Sequence, residues 1–130
     1  MSGLGGNDTI STKGGNDTIT GGAGNDSIAS GAGNDTILYG SGNNGYDAVD
    51  GGAGTDDRIV VTANSVTAGL SSLAGVEVID ASGFTGTKIA GGSSADFFDF
   101  SAMQLLGIHK IDTGAGNDTV SFADAITPAN

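Results

Sequence analysis

Four aspartates stand nine residues apart, at Asp8, Asp17, Asp26 and Asp35, and each has the same neighbours. Gly-Asn comes before each one, and Thr or Ser followed by Ile comes after. A unit this short buries too little to fold alone. It must stack on copies of itself, so the chain is either a solenoid or a glycine-rich spacer. A spacer has no reason to hold Asp and Ile in fixed phase. The solenoid is the expectation.

The cleanest unit, Gly21-Gly22-Ala23-Gly24-Asn25-Asp26-Ser27-Ile28-Ala29, reads G-G-x-G-x-D-x-U-x, with U a large aliphatic residue. Residues 31–37 repeat it, and two earlier units end at Ile10 and Ile19 with Leu4 and Lys13 in place of the second glycine. The register breaks at Tyr39-Gly40-Ser41 and resumes three residues late in a loop ending at Asp47. Further loops end at Asp56, Asp96 and Asp118. Arg58 stands where an aliphatic residue belongs, so Ile59 is expected to reach the core through a one-residue bulge.

Composition narrows the function classes. The net charge is −11, which argues against a nucleic-acid backbone as partner. Cysteine is absent, which removes disulfides, thiolate metal sites and cysteine nucleophiles. No apolar run approaches the roughly 20 residues of a membrane span, so direct membrane insertion is not expected. The opening residues also lack the apolar stretch of a signal peptide. His109, the single histidine, has no nucleophile in phase with it, and neither a G-x-S-x-G elbow nor an H-E-x-x-H helix occurs. Gly40–Gly45 spells G-x-G-x-x-G without the flanking strand and helix that a dinucleotide site needs. The reading is that the chain is not an enzyme.

These loops resemble the RTX family, the nonapeptide repeat of secreted bacterial calcium-binding proteins. The resemblance is dense over residues 3–59 and looser over 91–122. It implies an all-β fold, a right-handed parallel β-roll or β-solenoid with calcium-binding turns and one short strand per x-U-x triplet. Two nonapeptides make one coil, so alternate loops share an edge. The chemistry agrees with the resemblance. Ca²⁺ takes six to eight oxygens from carboxylates and backbone carbonyls, and glycine permits the turn conformations that aim carbonyls at an ion.

The expected metal residues are Asp8, Asp17, Asp26, Asp35, Asp47, Asp56, Asp96 and Asp118. With them stand the loop glycines Gly6, Gly15, Gly22, Gly24, Gly31, Gly33, Gly45, Gly52, Gly54, Gly114 and Gly116. Alternation puts Asp8, Asp26 and Asp47 on one edge and Asp17, Asp35 and Asp56 on the other. Asp96 and Asp118 return to the first edge. Same-edge neighbours then offer about five calcium ions, with Asp26 shared by two. Asn at the fifth loop position is expected to satisfy local backbone donors.

Residues 1–60 read as the calcium-binding nonapeptide roll and 61–130 as a thicker, capping solenoid section continuous with it. The first 56 residues hold seven of the chain's 28 Leu, Ile, Val and Phe, so this part is expected to be disordered without calcium. In the second section residues 62–75 read as a long loop and Ser101–Leu106 as a short helical turn. Phe97 and Phe122 are counted with its core. Gly75–Asp80 and Gly107–Asp112 echo one another.

The expected function is calcium binding, as a Ca²⁺-dependent folding and scaffold module of a larger secreted bacterial protein. The resemblance implies a type I secretion route and an extracellular or cell-surface location. The alternative is a structural or adhesive unit of a cell-surface layer or filament, with self-association through the solenoid ends.

Overall fold

Wherever a glycine-rich turn releases the chain into an x-U-x triplet, a short strand forms. These are β1 (Thr9–Ser11), β2 (Thr18–Ile19), β3 (Ser27–Ala29), β4 (Thr36–Tyr39), β5 (Asp47–Asp50) and β6 (Arg58–Val61). The computed structural model describes residues 1–122, and the last eight residues of the expected capping section lie outside the described residues. The later strands are β7 (Thr67–Ala74), β8 (Val78–Asp80), β9 (Lys88–Ala90), β10 (Phe97–Asp99), β11 (Gln104–Leu106), β12 (Lys110–Asp112) and β13 (Thr119–Ser121). Among the described residues there is no helix, and so none able to cross a membrane.

The strands alternate between two walls. One sheet runs β1-β3-β5-β7-β10-β13 and the other β2-β4-β6-β8-β11. Every pairing is parallel, and the whole is a β-solenoid of about five turns. Thr9 faces Ser27 and Thr18 faces Thr36, so the first coils advance by two nonapeptides. Ser27 then faces Ala48, three residues further than the repeat, which is the length of the insertion after Leu38. Inside, two ladders of apolar side chains meet. Ile10, Ile28, Val49, Leu73 and Phe98 come from one wall, and Ile19, Ile37, Ile59 and Ile79 from the other. Each contributes roughly 1.5–3 kcal/mol by burial. With about one such residue per nonapeptide in the first coils, the core is thin.

The second section departs from its expected form. Residues 62–75 are not a long loop, because Thr67–Ala74 forms an eight-residue strand. Its register against β5 slips by one residue, Leu70 facing Asp47 and Ser72 facing Ala48. This bulge hides the period-two alternation by which a strand is recognised. The front half of β7 pairs with β9, and β9 with β12, giving a short side ladder. Ser101–Leu106 makes a turn and then strand β11 on β8, not a helical turn. The echo of Gly75–Asp80 by Gly107–Asp112 is not a stacking repeat, since β8 and β12 lie in different ladders. Phe98 and Phe100 are buried as expected, whereas Phe97 and Phe122 are about half exposed. Phe97 points outward because its neighbour Phe98 points in.

Several acidic residues outside the loops serve the turns. Asp50, Asp80, Asp99 and Asp112 are the last residues of their strands, and each accepts the backbone N–H two residues on. Such turns need only the carboxylate's reach to the nearby backbone.

Lys13 carries a strain that its successors avoid. Its φ is +75°, and Gly31, one coil later at the same loop position, has +101°. A side chain there costs about 1–2 kcal/mol, offset in part by the greater freedom of an unfolded glycine. Lys13→Gly is therefore expected to stabilise the calcium-loaded protein by up to about 1 kcal/mol. Chemical denaturation at saturating calcium measures it.

Candidate metal centre

At each turn the aspartate before the strand reaches toward the adjacent coil. The backbone N–H of Asp8 donates to Asp26 Oδ1 at 2.8 Å, and that of Asp26 donates to Asp47 Oδ1 at 2.8 Å. On the opposite edge Asp17 donates to Asp35 Oδ1 and Asp35 to Asp57 Oδ1, both at 2.7 Å. Asp96 donates to Asp118 Oδ1 at 3.0 Å. The carboxylates therefore stack in two columns along the solenoid.

The asparagine one position earlier answers in the other direction. Asn25 donates its backbone N–H to Asn7 Oδ1, and Asn34 donates to Asn16 Oδ1, each at 2.9 Å. Tyr46 and Thr55 donate likewise to Asn25 and Asn34. Asn thus serves the coil stacked on it and not its own loop. Each pair of positions sews two coils together reciprocally.

What remains on the columns is a set of unanswered oxygens. Oδ2 of Asp8, Asp17, Asp26, Asp35 and Asp57 is buried and has no hydrogen-bond partner. Asp26, Asp35 and Asp57 are 2%, 0% and 0% exposed. A buried charged oxygen without a donor is costly, which native folds avoid unless something else answers it. A hard divalent cation fits these donors, because it takes carboxylate and carbonyl oxygens together. Among the described residues no three His, Cys, Asp or Glu side chains converge, so backbone carbonyls would have to complete the shell.

Four expected positions behave differently. Asp56 does not join its column. The turn after β5 holds one residue more than the motif, so Asp57 takes the place, while Asp56 accepts from Arg58 Nε at 2.7 Å. The extra residue sits in the turn and not in the strand, because β4 and β6 pair without a slip and Ile59 faces Ile37. Gly54, in that same turn, is the one expected loop glycine without a positive φ, the other expected ones lying between +73° and +135°.

Asp47 is in register, but its Oδ2 accepts the buried Tyr39 hydroxyl at 2.7 Å. Asp96 Oδ2 similarly accepts from Gly92 N at 2.7 Å. Tyr39, Asp57 and Glu77 are thus column residues that the loop motif did not point to. One signal does find the two acids. Every stacked carboxylate stands two residues before the inward side chain of its strand, and Asp57-x-Ile59 and Glu77-x-Ile79 keep that spacing. His109 lies apart from both columns, exposed, with Nδ1 3.2 Å from Gly107 O.

Burial pushes the Asp47 carboxyl up from 3.8 to about 6, against the lowering effect of its bonds from Asp26 N–H and Tyr39. Its folded-state affinity for a proton then exceeds that of the unfolded chain. Calcium-free stability from this group is complete below about pH 4 and is lost as pH rises through 6. Acidification in EDTA should therefore stabilise the fold and raise the β content. Asp47→Asn, which keeps an oxygen for the Asp26 N–H and turns an amide N–H toward the Tyr39 hydroxyl oxygen, should flatten the dependence in circular dichroism.

A parallel solenoid whose turns stack buried carboxylates between coils is the architecture of a calcium-binding β-roll. The profile of the RTX calcium-binding nonapeptide repeat matches the chain in four copies, over residues 2–37 and 110–123. The chain carries that family's repeat in these segments, and the repeat implies calcium binding. No curated protein and no solved structure matched the chain. The family match covers the loops ending at Asp8, Asp17, Asp26, Asp35 and Asp118 and leaves out those of Asp47, Asp57 and Asp96.

Proposed function

We propose that the chain is a Ca²⁺-dependent folding and scaffold module of a larger secreted bacterial protein. Five buried, unpartnered Oδ2 atoms in two columns support this reading. Three gaps have such an oxygen on both carboxylates: Asp8/Asp26, Asp17/Asp35 and Asp35/Asp57. These are the firmest ion positions, and Asp26/Asp47 and Asp96/Asp118 follow, with Oδ2 of Asp47 and of Asp96 already engaged. Gly22, Gly24, Gly31, Gly33 and their counterparts shape the turns from which carbonyls would complete each shell.

Binding confined to the folded state adds its free energy to folding. Where calcium is scarce, as in a bacterial cytosol, the acidic coils would stay open and could thread through an export channel. Outside, at millimolar calcium, the same coils would close. The catalytic chemistry of such a protein would then reside in segments other than these repeats.

Competition with a chromophoric chelator on the full chain tests the reading. At least three ions per chain, bound with positive cooperativity, are expected. Failure to bind at millimolar calcium would overturn it. Sedimentation in the same buffers separates a monomeric folding module from a filament or layer unit, which would assemble when calcium is added.

A further inference from the structure

Asp57 ends the run of stacked aspartates, but its column does not stop there. In the coils before it, each backbone N–H is capped by the next aspartate; the Asp57 N–H is capped at 2.7 Å by Glu77 Oε2. Glu77 is the only glutamate in the chain. The strands behind them are in register, Ile59 facing Ile79, and the backbone N–H of Glu77 returns a bond to Asp57 O at 2.9 Å. The longer side chain therefore performs the aspartate's structural task and keeps a second carboxylate oxygen at the same level.

The charge at this level is unanswered. Asp57 is fully buried, and its Oδ2 has no hydrogen-bond partner. Arg58, the nearest basic residue in sequence, gives its Nε to Asp56 at 2.7 Å. Asp35 and Asp56 add further negative charge. Nature seldom leaves a buried anion among anions.

We propose that Asp57 and Glu77 frame a further divalent-cation site, one coil beyond the last aspartate pair and outside both segments that match the nonapeptide repeat. It rests on the calcium reading of the columns below it and extends that reading to a coil with no G-G-x-G-x-D loop after Asp57. The cation is of the hard, oxygen-seeking class, since every side-chain donor at hand is a carboxylate. Its place matters. It ties β6 to β8, the step at which the thin nonapeptide coils meet the thicker section.

The test is a crystal structure of the full chain grown with Ca²⁺, read by anomalous scattering. A peak about 2.3–2.6 Å from Asp57 Oδ2 and a Glu77 oxygen is expected. Peaks between the aspartate pairs with none at Glu77 would overturn this site alone, and no peaks anywhere would overturn the calcium reading itself. Chelator competition provides the second measurement. Glu77→Gln, which keeps an oxygen for the Asp57 N–H, should bind one ion fewer than the wild type, and an unchanged count would contradict the proposal.

Discussion

Asp35→Asn is expected to raise the calcium concentration at half-folding by at least about tenfold, equivalent to 1.4 kcal/mol. Asp35 is fully buried, and its Oδ2 is unanswered. The two carboxylates that flank it in the column, Asp17 and Asp57, also carry unanswered oxygens. Ions on both sides would draw on it. The amide keeps an oxygen for the Asp17 N–H and removes the charge together with the second oxygen. In EDTA the variant should fold no worse than the wild type, because a buried anion has gone.

Asp8→Asn is the control, at the first coil, where only one gap is touched and opening is cheap. It should shift the midpoint by less than about threefold. Motif counting places both Asp26 and Asp35 between two gaps, and because Tyr39 occupies Asp47 Oδ2 on the Asp26 edge the larger effect is expected at Asp35. A calcium titration followed by circular dichroism separates the two positions. Equal shifts for the Asp8 and Asp35 variants would contradict the stacked columns.

Gly24→Ala should cost about 3 kcal/mol or more, whereas Gly6→Ala should cost only about 1–2. Both glycines have positive φ, +129° and +99°, so the conformational penalty is similar. They differ in what lies beneath. A Cβ on Gly24 would run into the Gly6 carbonyl group, while one on Gly6 would meet nothing within 4 Å. The difference between the two variants is thus the cost of forcing coils apart, free of the backbone term. Denaturant midpoints at saturating calcium give both numbers. Equal losses would mean that φ alone selects glycine in these turns.

The same geometry explains why some of the structure could be read and some could not. Asp8 to Asp35 could be placed on alternate edges because their nine-residue period is unbroken. The edge assignments survived the insertion after Leu38, since a loop can grow without changing which wall its strand joins. Asp57 was hidden by the glycine phase, which points to Asp56, although the spacing to Ile59 points correctly. Glu77 was hidden because no glycine loop of the motif precedes it. β7 was hidden by a bulge that places Leu70 and Leu73 three apart on the same buried side. Tyr39 could not be found from the motif at all. Its hydroxyl reaches Asp47 from the end of β4, where the side chain is buried. Local spacing identifies which residues stack, and contacts outside that spacing, from Tyr39 and from Gly92, decide which stacked oxygens stay free.

Far-UV circular dichroism of the full chain during a calcium titration, reversed with EDTA, tests the central claim most directly. Buried like charges and a thin aliphatic core predict a largely unstructured chain in EDTA at pH 7, a cooperative rise in β signal with calcium, and full reversal on chelation. Magnesium should substitute poorly, because it demands a tighter octahedral shell. A β signal at full strength in EDTA, unchanged by calcium, would contradict the account.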